Sequence, residues 1–87
     1  MKIKSGFVLR EVGGDSVVVP VGERVKTFRG MINLNATGAF IWQFFASEHT
    51  QEECVDALCE KYCVSREQAE RDVDKFVTAM RTGGFLE

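Results

Sequence analysis

Residues 30–42, Gly30-Met31-Ile32-Asn33-Leu34-Asn35-Ala36-Thr37-Gly38-Ala39-Phe40-Ile41-Trp42, run an alternating strand into an asparagine cap and then an aromatic-rich helix. Successive strand side chains point to opposite faces, so Met31 and Asn33 share one face and Ile32 and Leu34 the other. The face carrying Ile32 and Leu34 is the one that turns to the core. Asn35 then caps the helix. Its side-chain oxygen can accept from the backbone N–H of Thr37 or Gly38, worth roughly 0.5–2 kcal/mol relative to alanine, with Leu34 and Ala39 at the staple positions. Downstream, Phe40, Ile41, Phe44 and Phe45 follow the spacing of one helix face and are expected in the core. Trp42 lies on a second face, where it either packs under the sheet or forms an oligomer contact.

Upstream of this stretch the chain reads as β. Phe7 to Val12 and Val17 to Val21 are β-rich runs separated by Gly13-Gly14-Asp15-Ser16, which can supply the positive φ angles of an antiparallel hairpin. Pro20 has no backbone donor and belongs near a strand end or on an edge. Between Gly22 and Gly30 two readings stand: Val25, Thr27 and Phe28 extend the third strand, or the segment is a loop leading into Met31 to Leu34. After the first helix, Thr50-Gln51-Glu52-Glu53 forms a capping box ahead of Val55, Leu58, Cys59 and Tyr62, predicting a helix over 51–62. Ser65-Arg66-Glu67-Gln68 reads as a second capping box. Ala69, Val73, Phe76, Val77 and Met80 form the buried stripe of a third helix over 66–82 that stops at Gly83-Gly84. Phe85 and Leu86 should fold back onto the core. The order is βββααα, an α+β fold on a single domain.

Composition narrows the function. The chain has 87 residues and a formal net charge of −2. A domain of this size buries roughly 60–65% of the surface its unfolded chain exposes, with an expected stability of about 4–13 kcal/mol. A shallow groove is a better expectation than a deep cofactor cavity. The start Met1-Lys2-Ile3-Lys4 lacks the apolar stretch of a signal peptide, and no apolar run is long enough to span a bilayer, so no membrane role and a cytoplasmic location are expected. The net charge offers no general attraction to phosphate backbones.

Candidate chemistry is sparse. Cys54, Cys59 and Cys63 contain no CxxC pair. On one helix Cys54 and Cys59 lie about 140° apart and cannot converge on one ion. Reduced structural thiols are expected, and no metal. His49 stands in a loop with no nucleophile motif beside it. Glu52 with Glu53 sits where a helix N-terminus favours negative charge, and Glu70 with Asp74 reads as solvated surface. No glycine-rich loop cradles a phosphate. The helices over 51–62 and 66–82 could form a helix-turn-helix, but the second mixes Arg66, Arg71, Lys75 and Arg81 with Glu67, Glu70, Asp72 and Asp74. It presents no net positive field, so nucleic acid is not the expected partner. What remains is an exposed strand edge beside the last helix. Such an edge carries unpaired N–H and C=O groups that a peptide can complete as an added strand.

The whole chain resembles the PqqD-like family of small peptide-recognition domains, named for protein D of pyrroloquinoline quinone biosynthesis. The resemblance runs from Phe7 to Glu87 and rests on Phe7-Val8-Leu9-Arg10-Glu11-Val12 before a Gly-Gly-Asp turn, on Val17-Val18-Val19-Pro20 and on Leu34 to Trp42. It continues through Thr50-Gln51-Glu52-Glu53, Tyr62-Cys63-Val64-Ser65, Asp72-Val73-Asp74-Lys75-Phe76 and Gly84-Phe85-Leu86-Glu87. It implies a winged-helix-like domain with no catalysis and no cofactor of its own. Such a domain binds the leader of a ribosomally made precursor peptide as a strand beside the third strand and presents it to a modifying enzyme, often a radical S-adenosylmethionine (SAM) enzyme. On this chain the implied groove comprises Met31, Ile32 and Asn33 on the strand and Asp72, Lys75, Phe76 and Ala79 on the helix. Val25, Thr27 and Phe28 join if the third strand starts early. On this reading Ile32→Pro should abolish binding by removing a ladder donor. The alternative is a structural or regulatory interaction module, a homodimer through its strand edge or Trp42.

Overall fold

In the computed structural model, which describes residues 1–27 and 32–87, three strands and four helices follow one another as β1 (Phe7–Val12), β2 (Asp15–Pro20), α1 (Arg24–Thr27), β3 (Ile32–Leu34), α2 (Ala36–Phe44), α3 (Gln51–Tyr62) and α4 (Arg66–Gly83). The architecture is α+β, as expected. The strands form one antiparallel sheet in the order β1-β2-β3, which makes β3 an edge. Gly13 and Gly14 have φ of 61° and 90°, the two positive values of a tight two-residue hairpin loop, and they close the ladder on the pair Val12–Asp15. Pro20 ends β2 opposite Phe7, where a missing donor is tolerated.

The segment after β2 corrects the early-strand reading. Val25 and Thr27 belong to the single helical turn α1, and Val25 is 58% exposed. The N–H groups of Arg24, Val25 and Lys26 donate to the carbonyls of Val21, Gly22 and Glu23, so these main-chain donors are taken locally. Arg24 pins the turn: its Nε donates to the Ser5 carbonyl at 3.1 Å and its guanidinium lies 5.5 Å from the centre of the Phe7 ring. Phe28 and Met31 lie outside the described residues.

The caps hold as read, with one change. Asn35 accepts from the Gly38 N–H at 2.8 Å. Thr50 and Glu53 complete a reciprocal box. Ser65 accepts from the Gln68 N–H, but the Gln68 side chain turns forward along the helix and donates to Asp72 at 2.9 Å.

The core fills the space between one sheet face and the three long helices. Val18 enters from the sheet, Ile41, Trp42 and Phe45 from α2, Cys54, Val55 and Leu58 from α3, and the whole predicted stripe of α4 follows. The α2 face differs from the expectation. Trp42 is buried, edge-on to Phe7 and Phe85, while Phe40 and Phe44 are only partly buried at the rim. The helix is covered from more than one side, because both ends of the described chain pack against it. Ile3 donates to the Phe45 carbonyl, Lys4 to that of Phe85 and Glu87 to that of Lys2, with Ile3 bridged to Leu86. At 5% exposure, Trp42 has no surface left for an oligomer contact. Tyr62 shows the reverse change: grouped with the α3 stripe by spacing, it lies on the surface.

Candidate functional site

The hairpin fixes which way β3 turns its main chain. A two-residue loop closes on a pair that exchanges both main-chain hydrogen bonds, here Val12–Asp15, and such pairs alternate with unbonded ones. Asp15, Val17 and Val19 therefore direct N–H and C=O toward β1, and Ser16 and Val18 direct theirs toward β3. Ser16 pairs with Leu34, Val18 with Ile32 and Val17 with Asn33. Ile32 and Leu34 consequently bond inward to β2. Asn33 directs its N–H and C=O out from the open edge.

The side chains divide the other way. Ile32 and Leu34 are half-buried against the core, and Asn33 is exposed. Facing the strand across a gap is α4, where Asp72, Lys75, Phe76 and Ala79 recur at three- and four-residue steps and so occupy one helical stripe. Between them lies a cleft of about 390 Å³, open to solvent, lined by six of the eight predicted residues that are described: Ile32, Asn33, Asp72, Lys75, Phe76 and Ala79. Val25 and Thr27, on α1, do not line it. The sequence reading missed Leu34, Asn35, Thr37, Gly38, Ile41 and Met80, which complete the walls. Their capping or core patterns were visible, but not that α2 forms the floor between strand and helix.

The cleft is apolar inside and polar at its rim. Ile32, Leu34, Ile41, Phe76 and Met80 supply the floor and walls, while Asp72 and Lys75 stand at the mouth. Asp72 accepts from Gln68 Nε2, and Lys75 forms no ion pair among the described residues. No polar or charged residue is buried among the described residues. An open backbone edge above an apolar trough can hold an extended chain by main-chain bonds while side chains of one face enter the trough. The two helices of the helix-turn-helix reading are α3 and α4, joined through Cys63 in the left-handed conformation. Arg66 of α4 is paired with Asp56 at 2.6 Å. Among the described residues, no helix is long and apolar enough to cross a membrane.

The family model for coenzyme PQQ synthesis protein D (PqqD) matches residues 7–86. The chain belongs to the PqqD family. Among solved structures, this PqqD-family chain is similar to TbiB1 in complex with the TbiA(beta) leader peptide, at 30% identity and a TM-score of 0.76, with 100% of this chain and 95% of that chain covered. None of the curated proteins compared matches it.

Proposed function

We propose that this protein is a non-catalytic recognition element that captures the leader of a ribosomally made precursor peptide as an added strand on β3 and presents it to a modifying enzyme. The observation that carries this reading is the outward-facing main chain of Asn33 above the apolar trough between β3 and α4. Its support is twofold: the family to which the chain belongs, and the leader peptide named with the similar TbiB1 structure. The peptide's outward main-chain partner sits opposite Asn33. The residues on either side of that partner turn into the trough, toward Ile32 and Leu34 on one wall and Phe76 and Ala79 on the other. The modifying enzyme in this reading is a radical SAM protein. The recognition element itself needs no cofactor, because holding an extended chain requires only hydrogen bonds and apolar contact.

A second copy of the chain could occupy the same edge, so self-association is the competing reading. Both are tested by titrating a candidate leader, taken from a short open reading frame beside the gene, into ¹⁵N-labelled protein. Leader capture predicts amide shifts at Ile32 to Leu34 and along Asp72 to Ala79. Shifts confined to the β1–β2 hairpin would sink this placement. A concentration-dependent shift of the same edge amides without peptide would favour the dimer.

A further inference from the structure

Beyond the trough lies a larger hollow of about 630 Å³ that the leader-capture reading does not use. It opens between the tip of the β1–β2 hairpin, the side of α2 away from α4, and the C-terminal end of α3. Leu34 and Asn35 line both hollows and form the saddle between them.

Two features show how the sequence leaves this hollow unfilled. On the sheet face that packs inward, Leu9, Val18 and Ile32 make one apolar rung. The next rung on the same face is Glu11, Ser16 and Leu34, so two of its three inward positions are polar and too short or too hydrated to close the gap. Opposite them, α2 presents the small residues Ala36 and Ala39. The far wall is aromatic, built from Phe40, which is partly buried at the rim of the core, and the exposed Tyr62. Phe40 and Tyr62 meet edge to face with centroids 5.8 Å apart, and the Lys61 ammonium stands 5.9 Å and 5.8 Å from their ring centres. Tyr62 is 36% exposed, and Lys61 forms no ion pair among the described residues.

We propose that this hollow is a second subsite for the same bound peptide, taking a large aromatic or apolar side chain from the stretch that continues past Leu34. This inference rests on the leader-capture reading. A strand added beside β3 and extended past Leu34 leaves the trough at the saddle, where β3 itself turns away into α2. Small side chains there let it cross the first turn of α2 and reach the aromatic wall. Phe40 and Tyr62 offer ring faces and edges for stacking, and Lys61, which also lines the hollow, lies over those rings. Peptides recognised by this chain would therefore carry two anchors: an alternating apolar pair for the trough and a separate aromatic or large aliphatic residue beyond it.

The test uses a displayed random-peptide library panned on the immobilised full chain. The enriched peptides are then synthesised whole and cut back to the part that perturbs the Ile32–Leu34 amides. Tyr62→Ala should weaken the whole peptide roughly tenfold, as for an aromatic anchor, and leave the shortened peptide unchanged. Ala39→Trp, which fills the hollow, should do the same without removing any aromatic contact. Equal affinity of the whole peptide for the wild-type protein and both variants would overturn the second subsite while leaving the trough intact. Loss of both peptides on Asn33→Pro alone identifies strand capture itself. Failure of any library peptide to enrich on the wild-type chain would overturn both.

Discussion

Proline scanning of the three-residue strand β3 separates the inward ladder from the outward edge. Ile32 and Leu34 bond to β2, whereas Asn33 faces out. Asn33→Pro removes an N–H that has no partner on β2, from an exposed position on an edge strand, where proline is tolerated. Its folding cost should stay within about 1 kcal/mol. Ile32→Pro removes a ladder donor opposite Val18, leaves an inner carbonyl unsatisfied and truncates a half-buried side chain. These losses together amount to about 2–4 kcal/mol, a large part of the about 4–13 kcal/mol expected for the chain. The original expectation that Ile32→Pro would report on binding is therefore replaced: that variant reports on folding. On the binding side, one net main-chain hydrogen bond is worth about 0.5–1.5 kcal/mol, or roughly 2- to 12-fold in Kd. The proline ring also occupies the space of the incoming strand, so the Asn33→Pro loss should reach or exceed the upper figure. Urea unfolding and a fluorescence titration with a library-selected peptide measure the two effects on the same samples. An Asn33→Pro protein that unfolds like Ile32→Pro would refute the register. One that is stable and binds as tightly as wild type would refute strand addition.

Three further outcomes follow from local geometry. Glu53 accepts from the Thr50 N–H, which holds its carboxyl below the usual carboxylate range. Its folded-state value lies below the unfolded one, so its contribution is present above the carboxylate range and is lost as pH falls through it. The stability gap between wild type and Glu53→Gln should accordingly narrow on acidification, and a gap that widens in acid unfolding curves would contradict the cap. Gly6 has φ of +95°, and a Cβ there would collide with Arg24 Cγ. Gly6→Ala should thus cost about 1–3 kcal/mol in chemical denaturation, while a neutral result would mean that Arg24 does not clamp α1. Burial pushes the Cys54 thiol up to about 11, and Cys63 is exposed. A thiol reagent at mild pH should label Cys63 first and Cys54 only on unfolding, as read by peptide mass mapping; early labelling of Cys54 would contradict its place in the core.

The elements with strong local signals were legible from the sequence. The α4 stripe from Ala69 to Met80 has a single buried face and strong caps, so periodicity placed Ala69, Val73, Phe76, Val77 and Met80 in the core, whereas Ala79 entered only through the family resemblance. Asn35 and Thr50 were readable because capping is settled within four residues. The remaining differences have tertiary causes. Trp42 could not be assigned from helix spacing because Ile3 and Phe85, far apart in sequence, close over its side of α2. Val25 and Thr27 carry β-favouring side chains, but Gly22 and the Arg24 clamp direct the segment into a turn. The direction of Asn33's main chain was hidden for a different reason. It follows from the hairpin closing pair and the β2–β3 register, neither of which alternation within β3 can specify. The same limit concealed the hollow beside Tyr62, which exists because Glu11 and Ser16 occupy inward positions on neighbouring strands.

Amide hydrogen exchange of β3, read residue by residue by NMR with and without a library-selected peptide, tests the strand-capture claim most directly. In the free protein the Ile32 and Leu34 amides should already be protected by β2, while the Asn33 amide exchanges fast. Peptide binding should slow Asn33 specifically, as its N–H gains a main-chain partner. An Asn33 amide that exchanges equally fast in the saturated complex would contradict strand addition on this edge.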